Sequence, residues 1–227
     1  MAEYCAVRRY VYVWEVPIRI AHWGIFFSII VLSFTGIYIH HPFINVAGIE
    51  QPYLMGWMRT IHYITGAIFM FFVLLRIYWF IISGRYGSLK SFVSSIDKKH
   101  FKIFLDYVKY YAFLKKDPPH VIGHNPLAIV AYFILYILFI FQIITGFALW
   151  GLYDQNGLSY ELFGWVFSVV NIQWIRFYHF ILMFFIAGFF INHIYSAVLF
   201  DFRTQSGEIS AIFAGWKPLR NESNNKD

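Results

Sequence analysis

The sequence predicts an all-α membrane protein built as a four-transmembrane-helix bundle. Three observations carry that reading. Of 227 residues, 59% are hydrophobic and only 13% charged, about half the charged share of an average soluble protein. Four apolar stretches, at about 20–39, 56–82, 126–151 and 174–200, each meet the roughly 20 residues needed to cross a hydrocarbon core about 30 Å thick. The basic residues between them fall in alternate connections.

The first stretch is too long for the apolar region of a signal peptide, and no small-residue cleavage site follows it. It reads as a retained first helix. Arg8, Arg9 and Arg19 precede it. The loop at about 83–124 carries Arg85, Lys90, Lys98, Lys99, Lys102, Lys109, Lys115 and Lys116. Arg203, Lys217, Arg220 and Lys226 follow the fourth stretch. The other two connections hold Glu50, Asp154 and Glu161. The positive-inside rule then places both termini and the long loop in the cytoplasm. The basic loop needs no nucleic acid to explain it.

Within that loop, Phe101, Phe104, Leu105, Val108 and Tyr111 or Ala112 recur among lysines at three- and four-residue spacing. The pattern predicts an interfacial helix between Asp97 and Lys116, ended by Asp117-Pro118-Pro119. The tail, about 203–227, ends in a polar run from Asn221 to Asp227 that reads as disordered. The whole chain, 1–227, is expected to form one domain.

Four histidines fall in the spans or at their mouths: His22, His62, His179 and His193. His179 and His193 are fourteen residues apart in one span. At about 100° per residue they return to within about 40° of one direction, roughly 21 Å apart along the helix. Two imidazoles on one face, two thirds of a membrane apart, ask for two separate ligands. Alternating helix directions put His62 level with His179 near the outer face, and His22 level with His193 near the inner face. An ionisable residue inside a bilayer is costly unless it has a function or a partner. Two level pairs from different helices are the arrangement of two bis-histidine b haems, imidazole being a standard axial ligand of haem iron. The expected fold is therefore a bundle with two haems stacked across the membrane.

The arginines add to this. Arg19, Arg59 and Arg176 each stand three residues before a histidine, at His22, His62 and His179. An i,i+3 neighbour shares its helical face. Arg59 and Arg176 are the positive residues of the outer half, where the charge rule disfavours them. They are expected to hold haem propionates, which need hydrogen-bonding cations when buried; the same is expected of Arg19. Gly24, Gly66 and Gly188 could let a macrocycle or a helix approach closely, and Thr35-Gly36 and Thr145-Gly146 end the first and third spans alike. Helix packing explains these small residues equally well.

Other chemistry fits less well. Cys5 is the only cysteine, so the chain alone forms no disulfide or thiolate cluster, and without C-x-x-C-H any haem is held without thioether bonds. Zinc wants three or four ligands in one compact cluster, not two layers. A small histidine-based metal or proton transporter would need convergent polar groups at mid-membrane. The spans read as free of proline and of deep charge, which disfavours it.

At this point the chain resembles a known family, the b-type cytochrome subunit of membrane-bound respiratory nickel–iron hydrogenases, a diheme cytochrome b family. The resemblance rests on Val11-Tyr12-Val13-Trp14-Glu15 through Arg19-x-x-His22-Trp23 and on Gly123-His124-Asn125-Pro126-Leu127-Ala128 with Gln142 and Thr145-Gly146-Phe147-Ala148-Leu149. Arg176-x-x-His179, His193-Ile194-Tyr195 with Asp201, and Gly207-Glu208 complete it. One departure is His179-Phe180, where family members often carry two histidines. The resemblance implies electron transfer from a periplasmic hydrogenase through two haems to a quinone near the inner haem. It implies an iron–sulfur small subunit, a nickel–iron large subunit and a higher oligomer as partners. It also implies that Asn125 belongs to the quinone region; Gln142 lies too deep to share that site and reads as a packing residue. The related diheme subunit of a formate dehydrogenase or another periplasmic reductase is the nearest alternative.

Overall fold

A computed structural model describes residues 10–43, 53–83, 104–106, 108–109, 114–115, 126–204 and 207–218. Its four long helices are α1 (Val16–His40), α2 (Leu54–Ile82), α3 (Pro126–Gly151) and, after two short helices α4 (Leu158–Phe163) and α5 (Val166–Val169), α6 (Ile172–Thr204). All four are long and apolar enough to cross a membrane. The polypeptide is thus a helical membrane bundle, as composition and apolar run length predict.

Local chemistry sets the helix ends. Glu15, extended at φ −64° and ψ 151°, leads into α1, and Pro17 stands in the first turn. A first-turn proline costs nothing, because its missing N–H would have had no partner. α1 packs most extensively on α2, while α3 packs on α4 and α6. The core lies midway along the bundle, where Ile25 of α1, Phe69 and Val73 of α2, Leu135 and Phe139 of α3 and Ile186 of α6 meet. Phe69 and Phe139 pack edge to face, 5.1 Å between centres. Ile186 stands seven residues from both His179 and His193. The apolar core therefore separates the two histidine levels. Many large apolar side chains point outward and are exposed, Phe27, Phe71, Phe133 and Phe185 among them. In water that surface would drive association; in lipid it is the solvent-facing side.

The two ends of the described chain close on each other at one end of the bundle. Strand β1 (Tyr10–Tyr12) pairs antiparallel with β2 (Trp216–Pro218), with Val11 opposite Lys217. Between α6 and β2 lies α7 (Glu208–Ala214), bracketed by Gly207 at φ 71° and Gly215 at φ 89°. At Gly215 a side chain would also meet the Tyr12 ring and the Trp14 carbonyl, so glycine there lets the strands approach. The Asp201 carboxylate accepts from the N–H groups of Glu208 (2.9 Å) and Ile209 (3.3 Å). It satisfies first-turn donors of α7 and places an anion at its positive end. Arg19 of α1 donates to the Phe213 carbonyl in the last turn of α7. Neither α7 nor the strand pair is legible in the sequence, where residues 203–227 read as one tail. Within the expected interfacial helix, residues 104–106 and 108–109 are helical, but Leu114 stands in a bend and Lys115 is not helical, so the helix stops short of Lys116; its other residues, the run Asn221–Asp227 and Asn125 lie outside the described residues.

Candidate cofactor site in two layers

The antiparallel course of the helices brings the histidines together in the expected pairs. In the layer expected to be outer, α2 supplies His62 and α6 supplies His179; His62 and Met183 of α6, one turn on from His179, both lie against Gly36 of α1. In the inner layer, His22 of α1 and His193 of α6 lie with ring centres 6.4 Å apart and planes inclined by 59°. All four are half-buried.

The outer imidazoles are held in one matching way. Thr35 Oγ1 on α1 lies 2.8 Å from His62 Nδ1 and 2.7 Å from the Val31 carbonyl. Thr145 Oγ1 on α3 lies 2.8 Å from His179 Nδ1 and 2.7 Å from the Phe141 carbonyl. A hydroxyl has one proton, and a carbonyl can only accept. Each threonine therefore donates to the carbonyl one turn back and accepts from the imidazole. That assigns the ring proton to Nδ1 and leaves the Nε2 lone pair free, the form in which a neutral imidazole binds a metal. At the outer layer the partner of each Nδ1 is a threonine from a neighbouring helix. The glycine after each threonine lies against the same ring. A Cβ on Gly36 would stand 3.4 Å from His62 Cε1, and one on Gly146 would stand 3.1 Å from His179 Cε1. Thr-Gly thus serves as a socket for a histidine, twice. Gln142 fits the packing role expected of it, donating to the His179 carbonyl at 3.0 Å.

The glycines singled out from sequence divide by role. Phe72 occupies the space beside Gly24, so that glycine serves α1–α2 packing. Gly66 stands four residues after His62, on its face, with open space where a Cβ would be. That is a cradle a macrocycle can enter. Gly188 is open as well, but five residues from His193 it points about 140° away.

The inner layer has no such sockets. His193 stacks on Phe189, 5.8 Å between centres and 6° between planes, and Tyr132 meets it at 6.1 Å. Trp23 stands edge-on to His22 at 5.2 Å. His22 Nδ1, Trp23 Nε1, Arg19 Nε, Ser83 Oγ and Arg76 Nη1 are all buried at this end without a hydrogen-bond partner among the described residues. Buried polar atoms are nearly always satisfied in a complete structure. Such a concentration fits a group that brings its own acceptors, as haem does with its propionates. Arg76 also departs from the expectation that no charge lies deep in the spans. It sits six residues inside the end of α2, and its signal in the sequence is a spacing of fourteen from His62, the same as from His179 to His193.

Arg59 and Arg176 are exposed at the outer ends of α2 and α6, each three residues before its histidine. His40, at the outer end of α1, stacks on Phe180 at 3.7 Å. The position where the resembled family often has a second histidine is here an aromatic contact. Among the described residues no three His, Cys, Asp or Glu side chains converge on one point, so the imidazoles stand in pairs.

A family model described as prokaryotic cytochrome b561 matches residues 13–215. A probable Ni/Fe-hydrogenase B-type cytochrome subunit of Bradyrhizobium diazoefficiens is 38% identical, the match covering 92% of this chain and 87% of that protein. The protein of the same description from Rhizobium leguminosarum bv. viciae is 37% identical, covering 92% and 89%. A probable Ni/Fe-hydrogenase 1 B-type cytochrome subunit of Escherichia coli (strain K12) is 35% identical, covering 91% and 90%. With its matched region running from the β1–α1 junction to the end of α7, the chain belongs to the prokaryotic cytochrome b561 family.

Proposed function

We propose that this chain is the electron-transfer subunit of a membrane-bound nickel–iron hydrogenase. It carries electrons across the cytoplasmic membrane between two bis-histidine b haems, to a quinone on the inner side. The observation that carries this is the pairing of imidazoles at two levels, with the outer pair held so that both Nε2 lone pairs are free. The inner spacing supports it. The ring centres of His22 and His193 lie 6.4 Å apart, so the two side chains would hold one group between them. The relatives are described as hydrogenase B-type cytochrome subunits.

His62 and His179 would hold the outer haem and His22 and His193 the inner one. Haem b, when bound, supplies a one-electron couple between ferric and ferrous iron. Thr35 and Thr145 orient the outer ligands and raise their basicity by accepting the Nδ1 protons. Arg59 and Arg176, on the ligands' own helices, would meet outer propionates, and Arg19 with its unpaired Nε an inner one. The apolar core keeps water from the space between the layers. Cys5 is the chain's one cysteine, so the iron–sulfur and nickel chemistry belongs to the small and large partner subunits. An electron moving inward against the membrane potential costs about 2.3 kcal/mol per 100 mV for full transit, which hydrogen oxidation must supply. Quinone reduction takes two electrons and two protons, and we assign its site to the inner side, near Asn125. The alternating basic loops support this orientation, with both termini in the cytoplasm.

The test is a reduced-minus-oxidised spectrum and a haem count on the purified protein. Two low-spin b haems per chain are expected, with one lost on replacing His62 or His179 by alanine. A colourless protein, or four single histidine variants that each keep two bis-histidine haems, would overturn the proposal.

A further inference from the structure

We propose that Arg76 is the counter-ion of the inner site: it binds a carboxylate of the haem held between His22 and His193 and raises that haem's reduction potential. This rests on the bis-histidine reading of the inner pair.

Position comes first. Arg76 follows His62 by fourteen residues, so both lie on one face of α2, roughly 21 Å apart. α2 therefore presents a histidine to the outer layer and an arginine to the inner one, where α6 presents two histidines. His22 enters α1 six residues after Val16, and Arg76 precedes the end of α2 by six. In antiparallel neighbours those positions are level. α1 packs more extensively on α2 than on any other element, and Nη1 of Arg76 is buried, so the guanidinium lies inside the bundle at the level of His22.

Charge comes second. A guanidinium stays protonated in any protein setting, and a buried unpaired charge is strongly destabilising. Yet Nη1 of Arg76 is buried without an acceptor. Its carbon stands 5.8 Å above the Phe80 ring, a weak interaction at that distance. Among the described residues the ion pairs are Lys115–Asp106 and Lys217–Glu208, neither at this site. Glu15, at the same end, accepts from Trp79 Nε1. Among the described residues, a permanent cation thus stands at the level of His22 without a carboxylate paired to it. Haem brings two. A fixed positive charge there also favours the ferrous state, which carries one positive charge fewer than the ferric state.

The experiment uses the full chain in its complex, as wild type, Arg76→Gln and Arg76→Lys, with haem counted and both midpoint potentials titrated at the haem α-band. Arg76→Gln is expected to keep the outer midpoint and shift the inner ferric–ferrous equilibrium at least tenfold towards ferric, a fall of about 59 mV for one electron. Arg76→Lys should recover part of that shift. Loss of the inner haem alone in Arg76→Gln, with retention in Arg76→Lys, also supports the assignment. Two haems with both midpoints unchanged in Arg76→Gln overturns it, as does equal loss of both haems in the two variants, which marks a folding role. A wild type with no haem on His22 and His193 overturns the two-haem reading, and this inference with it, before any variant is compared.

Discussion

The outer and inner layers carry equivalent imidazole pairs in opposite settings. Outside, each ring is already engaged: Thr35 and Thr145 fix the Nδ1 protons, and Gly36 and Gly146 give the rings room. Inside, His22 Nδ1, Trp23 Nε1, Arg19 Nε and Arg76 Nη1 have no hydrogen-bond partner among the described residues. A prearranged ligand set loses little freedom when it binds a metal group. A set with unspent donors takes its order from the group itself. The outer layer is thus built for geometry and the inner one for charge. On the proposed function, the difference teaches that two haem sites with identical ligands would be tuned separately through what stands behind the ligands.

The comparison can be broken in several ways. The largest effect is expected from the ligands themselves. His179→Ala should halve the haem content and leave the inner haem's spectrum in place, while His193→Ala should do the reverse; pyridine haemochrome counts and low-temperature spectra read both. Next come the sockets. Thr35→Val or Thr145→Val removes an acceptor behind an outer ligand, and changes of that kind typically cost 10–100-fold in metal affinity. Haem titration into the apoprotein should show the loss at the outer site alone. An equal loss at both sites would remove the distinction between the layers.

Gly24→Ala tests packing apart from ligation. The Phe72 ring occupies that space, and overpacking a fitted contact costs about 1–3 kcal/mol. Thermal unfolding in detergent should come at lower temperature with both haem spectra unaltered. The smallest effect is expected from Arg59→Gln and Arg176→Gln. Both side chains are exposed, where an ion pair is worth roughly 0–1 kcal/mol. Haem affinity at the outer site should fall no more than a few-fold, and more at low than at high ionic strength.

Much of this could be read from residue order. Run length gives the four helices, and the fourteen-residue step from His179 to His193 gives two levels. Helix direction then assigns His62 and His22 to them. The threonine sockets could not be read that way, because Thr35 meets His62 across 27 positions and Thr145 meets His179 across 34. Only helix packing decides such contacts. The repeated Thr-Gly pair was a visible trace of them, but small residues at helix contacts are common enough to hide it. The β1–β2 pair has the same difficulty in stronger form, with three residues on each side and nearly the whole chain between. Arg76 is different. Its spacing from His62 was present in the sequence, and a lone arginine near a span's inner end is easily taken for an interface residue.

The pairing of histidines by level is the central claim, and double substitutions test it most directly. His62→Ala with His179→Ala should still leave one haem per chain, the same as either single variant, because both remove the same site. His62→Ala with His193→Ala should leave none, because each removes a different one. The opposite pattern, with one haem surviving the cross-level double and none surviving the same-level double, would contradict the account.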